Sequence, residues 1–176
     1  MMRTVGRVSG FTLIELLLAL TVAALLLAVA LPSYQSLRQE QMVRAATQAV
    51  YTDMMLLKSE AIKRGVPLTL KIFNAGQSNW CYRIAIDGVC NSCADDCSSI
   101  EGRKGASSDE FGGVVIDTSS GYKSGSTADI TFSPRRGTFF GGQLTLSNGS
   151  STAYKVVIAS YGRIKTSPCT NGISSC

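Results

Sequence analysis

The sequence predicts an α+β protein in which one long amino-terminal α-helix, transmembrane in its first half, packs on an antiparallel β-sheet head. Three observations predict this fold class. Residues 11–31 form an apolar run, residues 37–64 repeat apolar side chains at helical spacing, and the remaining chain has short β-prone runs separated by Gly, Ser and Asn. A chain of 176 residues allows one globular head beside the membrane segment.

The first half of the helix has the length and composition of a membrane anchor. Phe11 to Leu31 would be about 31 Å long as a helix, enough to span the hydrocarbon core of a bilayer. The sequence allows two alternative sites of cleavage. A conventional secretory signal would be cut after the apolar run, near Ala30 or Ser33, whereas a cut between Gly10 and Phe11 would remove a basic leader, residues 1–10, and keep the helix.

One acidic side chain, Glu15, interrupts the apolar run. A carboxylate in hydrocarbon costs several kcal/mol or more unless a partner neutralises it, so an intramembrane carboxylate is a functional hypothesis by default. The alternative is an ordinary anchor whose Glu15 reaches the membrane interface.

Beyond Pro32 the helix is expected to continue as an amphipathic segment over residues 32–64. Apolar side chains recur three or four positions apart, at Val43, Ala46, Val50, Met54, Leu57 and Ala61. Lys63 and Arg64 suit the negative end of the helix dipole, and Gly65 followed by Pro67 predicts the end of the helix. Residues 65–176 then form the head.

The head is predicted to consist of antiparallel strands. "PLTLKIF" and "WCYRIAI" flank a turn and form a hairpin, and "QLTLS" and "TAYKVVIAS" form another across "NGS". "GVVID" and "DITFS" are further strands. Between the hairpins, residues 87–111 are expected to form a long loop without regular structure, ordered by disulfides.

Six cysteines, all downstream of the apolar run, predict disulfides in an exported chain. They are Cys81, Cys90, Cys93, Cys97, Cys169 and Cys176. Six cysteines allow fifteen pairings; we expect the last two to pair across a short loop and the other four to pair among themselves. Zinc bound by "CNSCADDC" would need Asp95 or Asp96 as a fourth ligand and is the alternative.

Charge and composition argue against an enzyme. The chain has no histidine, which removes the commonest general base and metal ligand, and no nucleotide, metal or catalytic motif stands out. We therefore expect no cofactor. The net charge of +5 is unevenly placed, because residues 87–117 are acidic and residues 118–176 are basic. Complementary contacts between neighbouring heads are one consequence of such a distribution.

The stretch "GFTLIELLLAL" resembles the class III signal and helix of type IV pilins and pseudopilins. The resemblance implies the type IV pilin fold, removal of residues 1–10 by a prepilin peptidase, and N-methylation of Phe11. It also implies that Glu15 pairs with the amino terminus of a neighbouring subunit's Phe11 during filament assembly. The expected location is the inner membrane of a Gram-negative bacterium, single-pass with a periplasmic head, followed by the pilus tip or cell surface.

The head, with "LKSEAIKRGVPLTL", "ITFSPRRGTFFGGQLTL" and "KVVIASYGRIK", resembles the GspH/FimT family of FimT- and FimU-like minor pilins. The resemblance implies a minor pilin that primes or caps pilus assembly in a tip complex. The implied partners are other minor and major pilins and the inner-membrane assembly platform. A minor pseudopilin of type II secretion is an alternative with the same fold and processing.

A further alternative is a minor pilin that binds double-stranded DNA in natural transformation. Members of the family that do so have a motif similar to Gly-Arg-x-Arg, and this chain has "GRIK" from residue 162 to 165, with Lys in place of the second Arg. Arg163 and Lys165 would share one face of a strand. The basic residues expected to extend the patch are Arg135, Arg136 and Lys155. We expect Phe139, Phe140 and Tyr161 to be core or loop-anchoring residues; the alternative is that they are platforms on which bases stack.

Overall fold

The computed structural model describes residues 12–86, 90–95, 97, 104–118, 123–124, 126–139, 142–149, 152–169 and 176. Within these residues the chain forms one helix and ten strands. The helix is α1, Leu13–Arg64. The strands are β1 Leu68–Phe73, β2 Cys81–Ile86, β3 Gly105–Ser107, β4 Val115–Thr118, β5 Lys123–Ser124, β6 Thr127–Ser133, β7 Thr138–Phe139, β8 Gly142–Ser147, β9 Ala153–Ile158 and β10 Ile164–Pro168. The predicted α+β fold class, that of type IV pilins, is confirmed.

The chain divides into two compact units, residues 1–38 and residues 39–176. The described part of the first unit is helical and passes through Pro32 without a break. Its apolar side chains are exposed, among them Leu16, Leu25 and Val29. This segment is long and apolar enough to cross a membrane.

In the second unit, α1 buries the face that the sequence predicts. All six apolar residues of the predicted stripe are fully buried, from Val43 to Ala61, and Thr47 and Asp53 are buried with them. The helix ends at Arg64, where Gly65 has a left-handed φ of 69° and donates its N–H to the Ala61 carbonyl at 2.9 Å. The predicted helix end is therefore confirmed.

Two antiparallel sheets share the main core with this half of the helix. Sheet A has the order β3-β2-β1-β6-β5, with β7 also paired to β6, and sheet B has the order β10-β9-β8-β4. We call a sheet face inner where its side chains join the main core, and outer where the alternate side chains lie. Leu68, Leu70 and Ile72 are inner residues of sheet A, whereas Leu144 and Val156 are inner residues of sheet B.

Both predicted hairpins are present. β1 pairs with β2 from Leu68↔Ile86 to Phe73↔Cys81, and β8 pairs with β9 from Gly142↔Ile158 to Ser147↔Ala153. The predicted strands "GVVID" and "DITFS" correspond to β4 and β6.

The expectation that residues 87–111 have no regular structure is wrong in part. Residues 105–107 form β3, which pairs with the end of β2 through Cys81↔Ser107. Gly105 permits this pairing because its backbone lies against the Tyr82 carbonyl, where a Cβ atom would clash. A three-residue strand with a glycine has no period from which the sequence could predict it.

Part of the outer face of sheet A, over β1 and β2, is covered by the disulfide segment, residues 90–95 and 97. Phe73, Ala85 and Cys90 are buried together in a second, smaller core, which Cys93 and Cys97 also contact. Arg83 fastens this segment through its guanidinium, which donates to the Cys93 carbonyl at 3.1 and 3.2 Å.

Candidate functional site

The basic residues near the end of β9 and the start of β10 lie on the outer face of sheet B. Ile164 is buried, and Arg163 and Lys165 on either side of it are exposed. The alternation of side chains along a strand therefore places these two cations on the same side. Arg163 itself directly precedes β10.

Lys155 on β9 shares that outer face. The register pairs Lys165 with Val157 and Ser167 with Lys155, so Lys155 is the diagonal neighbour of Lys165 across the strand pair. Such neighbours have Cα atoms about 7–8 Å apart. Lys155 is half-buried, so it contributes charge to the surface with less of its side chain in solvent than Arg163 or Lys165.

Arg135 and Arg136 lie on a different element, the turn between β6 and β7 of sheet A, and both are exposed. This turn contacts the β9–β10 turn. The Phe139 N–H donates to the Ser160 carbonyl at 3.0 Å. The structure thus brings the two turns that carry the predicted arginines next to each other, although they belong to different sheets.

The three aromatic residues differ in their surroundings. Phe139 is buried and packs on Phe132 with ring centroids 4.8 Å apart, as expected of a core residue. Phe140 lies outside the described residues. Tyr161 is 70% exposed at the tip of the β9–β10 turn, so its expected core or anchoring role is wrong. A turn position offers no packing partner for a side chain that points outward.

A cation that sequence reasoning missed is Lys58, on α1. Its ammonium donates to the Gly162 carbonyl at 2.9 Å. The two residues are 104 positions apart, and a lysine on a helix carries no signal that it reaches a turn so distant in sequence.

The basic face of sheet B also meets polar and acidic neighbours. Asp117 on β4 pairs with Thr145 on β8 at the opposite edge from β10, and Thr145 in turn pairs with Lys155. Gln143 donates to the Cys176 carbonyl at 3.0 Å, and the Cys169 N–H donates to the Ala153 carbonyl at 2.9 Å. The chain end therefore returns to the outer face of sheet B.

All six cysteines form disulfides. The pairs are Cys81–Cys93, Cys90–Cys97 and Cys169–Cys176. This is the expected division into a terminal pair and four that pair among themselves.

No cysteine among them is available as a thiolate ligand, and no group of metal-binding side chains occurs within the described ranges. Asp96 lies outside those ranges. The Asp95 carboxyl accepts the Asn91 N–H at 3.1 Å, and a hydrogen bond from Ser92 lowers its pKa.

A buried carboxylate, Asp53, is a second feature that the apolar stripe did not predict. It accepts a hydrogen bond from the Tyr82 hydroxyl at 2.9 Å, and the Lys104 ammonium lies 3.4 Å away. Burial, followed by the nearby Asp53 charge, raises the pKa of the Tyr82 phenol far above its usual range. The cluster joins α1 to β2 and to the residue that precedes β3, which is a structural role.

On the first unit, Glu15 lies at the start of α1. Its N–H donates to the Thr12 hydroxyl at 3.3 Å, as the third residue after an N-cap does. The Glu15 side chain borders an exposed apolar groove formed with Leu18, Val22 and Leu26. Gly10 and Phe11, the predicted cleavage and methylation positions, lie outside the described residues.

Comparison with known families assigns both parts of the chain. The family model described as type II transport protein GspH matches residues 46–162, and that of the prokaryotic N-terminal methylation motif matches residues 6–31. The chain belongs to the GspH family. No curated protein and no solved structure matches it.

The GspH match extends from the buried half of α1 to Gly162, so it includes Lys58 and both arginines of the β6–β7 turn. Arg163 and Lys165 follow directly after it. The methylation motif includes Gly10, Phe11 and Glu15. The resemblance to GspH/FimT-like members of the type IV pilin family is thus confirmed. As a GspH-family pilin or pseudopilin with a prepilin leader motif, the chain is a single-pass membrane-anchored protein processed by a prepilin peptidase, and it associates with other pilins.

Proposed function

We propose that this GspH-family chain is a minor type IV pilin that primes or caps pilus assembly within a tip complex. Residues 1–10 are its leader, residues 11–31 its transmembrane and filament-core helix, and residues 32–64 the continuation on which the head, residues 65–176, is built. Its head is periplasmic before assembly and lies at the pilus tip or cell surface afterwards. Its partners are other minor and major pilins and the inner-membrane assembly platform.

The observation that carries this proposal is the Glu15 carboxylate, which borders an exposed apolar groove. In a bilayer or a helix bundle that carboxylate requires a cation. A neighbouring subunit's amino terminus, at the methylated Phe11 left by cleavage after Gly10, supplies one at a fixed axial position. The charge pair would then set the register between helices.

Substitution of Glu15 tests this role. Glu15→Ala should leave the chain in the membrane but exclude it from purified filaments, and Glu15→Gln should do the same because an amide cannot neutralise the neighbouring ammonium. The matched control is Thr21→Ala, a small change on the same exposed segment. Membrane fractions and sheared filaments are compared by immunoblot. Normal amounts of Glu15→Ala chain in filaments would contradict the proposal.

The alternative role within the family is that of a minor pseudopilin of type II secretion, which the name of the matching family model favours. Deletion of the chain separates the two. A minor pilin of the pilus is required for surface pili and leaves secretion of exported enzymes unchanged, whereas a pseudopilin gives the opposite result. Both phenotypes are measured in one deletion strain and its complemented control.

A second candidate function is binding of double-stranded DNA, as in natural transformation. The observation that favours it is the common outer face of Arg163, Lys165 and Lys155, with Arg135 and Arg136 on the adjoining turn. Cations on one face can neutralise successive phosphates of a duplex. Lys165 does so as a point charge, without the bidentate geometry of arginine.

DNA binding is tested with the full, oxidised chain in a neutral detergent. Fluorescence anisotropy of a short duplex is followed across a salt series, because the slope of log affinity against log salt counts the phosphates neutralised, at about 0.9 per phosphate. The variant Arg163→Ala/Lys165→Ala should reduce both affinity and slope. If the variant binds with unchanged affinity and slope, DNA binding through "GRIK" is refuted.

A further inference from the structure

The β9–β10 turn, residues 159–163, is fastened both internally and from outside. Within the turn, the Ala159 N–H donates to the Arg163 carbonyl at 2.8 Å and the Gly162 N–H donates to the Ala159 carbonyl at 3.0 Å. From outside, Lys58 on α1 donates to the Gly162 carbonyl at 2.9 Å. The carbonyl immediately before Arg163 is therefore fixed by a side chain of the helix.

Gly162 also allows the two turns to approach each other. It is buried and has a φ of 86°, a left-handed conformation that side chains disfavour. A Cβ atom there would lie 3.0 Å from the Gly137 carbonyl and 3.5 Å from the Lys58 ammonium. Together with the hydrogen bond from Phe139 to Ser160, this contact docks the β6–β7 turn on the β9–β10 turn.

The two turns, the start of β10 and Lys58 together hold five cations. Among the described residues, Lys58, Arg135, Arg136, Arg163 and Lys165 form no ion pair with a carboxylate. Lys58 is half-buried and has one of its three N–H donors committed to Gly162, whereas the other four cations are exposed. Charges spread over three elements, with no carboxylate partner among the described residues, match the repeated anions of a phosphate backbone better than one carboxylate.

We infer that Lys58, the β6–β7 turn and the β9–β10 turn form one composite duplex-DNA surface, in which Lys58 is the positioning residue for Arg163. This inference rests on the second candidate function proposed above. Arg135, Arg136, Arg163 and Lys165 contact phosphates, and Lys58 holds the carbonyl of Gly162 so that Arg163 projects beside the other turn. Loss of Lys58 therefore removes part of what Arg163 contributes.

A double-mutant cycle on DNA affinity tests the positioning role. The variants are Lys58→Met, Arg163→Ala and their combination, measured by anisotropy in the full, oxidised chain in neutral detergent. The matched control is Lys63→Met, which removes the same charge from the same helix, where the ammonium lies 3.5 Å from Glu60. We expect Lys58→Met to weaken binding about tenfold and Lys63→Met less than about twofold, on the scale of single charged contacts.

The coupling between Lys58 and Arg163 decides whether Lys58 positions Arg163. Arg163→Ala should cost several-fold less affinity in the Lys58→Met background than in the unsubstituted chain. Additive effects would make Lys58 an independent charge and overturn its positioning role. Lys58→Gln separates the donor from the charge, because it keeps an N–H for the Gly162 carbonyl; it should retain more coupling than Lys58→Met. The fluorescence of Trp80, the only tryptophan, confirms that each variant is folded.

The remaining outcomes distinguish this inference from the function on which it rests. No DNA binding by the unsubstituted chain at about 50 mM salt would overturn both. Binding that is lost in Arg163→Ala but unaffected by Lys58→Met would overturn the composite surface alone and leave DNA binding in place. Equal binding of polyglutamate and duplex DNA at the same salt would assign the surface to an acidic protein partner and overturn the inference.

Discussion

The outer faces of the two sheets differ in what covers them. On sheet A, the disulfide segment lies over Phe73 and Ala85 and shields them from solvent. The Cys81–Cys93 disulfide ties it to β2, whereas Cys90–Cys97 closes the segment on itself. On sheet B, Arg163 and Lys165 are exposed at one end of the face, whereas the chain end returns to it at Gln143. The disulfide segment therefore completes the fold, whereas the basic end of sheet B stays exposed to solvent.

The sharpest test of this difference places the same large charge on each outer face. Ala85→Arg on sheet A should destabilise the head by about 3 kcal/mol or more, because Ala85 is completely buried and the guanidinium would displace the covering segment. Val157→Arg on sheet B should change stability by less than about 1 kcal/mol, because Val157 is half-exposed. Urea unfolding followed by Trp80 fluorescence measures both. Equal losses would refute the comparison.

Removing a disulfide should destabilise the head more at sheet A than at sheet B. Cys81→Ser/Cys93→Ser should cost about 2–4 kcal/mol, because it frees the segment that covers Phe73 and also loosens the Arg83 contacts to the Cys93 carbonyl. Cys169→Ser/Cys176→Ser should cost less, since that bond closes a shorter loop, with a sequence separation of 7 instead of 12. The measurement is the unfolding midpoint of each variant. A larger loss from the terminal pair would reverse the expected order.

The buried contact between Tyr82 and Asp53 gives an effect of about 1–2 kcal/mol and a dependence on pH. Tyr82→Phe removes the hydrogen bond to Asp53 and leaves that carboxylate with Lys104. Because the pKa of the Tyr82 phenol is raised in the folded state, the stabilisation is complete below the unfolded value of about 10 and is lost as pH rises above it.

The free energy of unfolding, measured between neutral pH and about pH 11, shows whether stability falls as expected when the pH rises. The unsubstituted head should lose stability above about pH 10, and Tyr82→Phe should lose less over the same interval. Identical slopes for the two chains would show that another group causes the alkaline loss.

The sequence predicted most of the fold but little of the geometry of the candidate site. The helix end at Arg64 and both hairpins follow from local signals, because Gly65, Pro67 and the turn residues act within a few positions. The assignment of the "GRIK" cations to one face of a strand agrees with β10, which begins at Ile164, but the pairing of that strand with β9 was not predicted. Lys58 could not be found, since its partner Gly162 is distant in sequence and only the tertiary fold brings them together.

The smallest expected effect on stability comes from the basic end of sheet B itself. Arg163→Ala/Lys165→Ala should change the free energy of unfolding by no more than about 0.5 kcal/mol, because both side chains are exposed and neither forms an ion pair among the described residues. The same variant should reduce DNA affinity and its salt dependence. A residue that matters for binding but not for stability belongs to a contact surface, so unfolding and binding measured on one protein sample separate the two roles. A stability loss as large as that of Ala85→Arg would show instead that these cations support the fold.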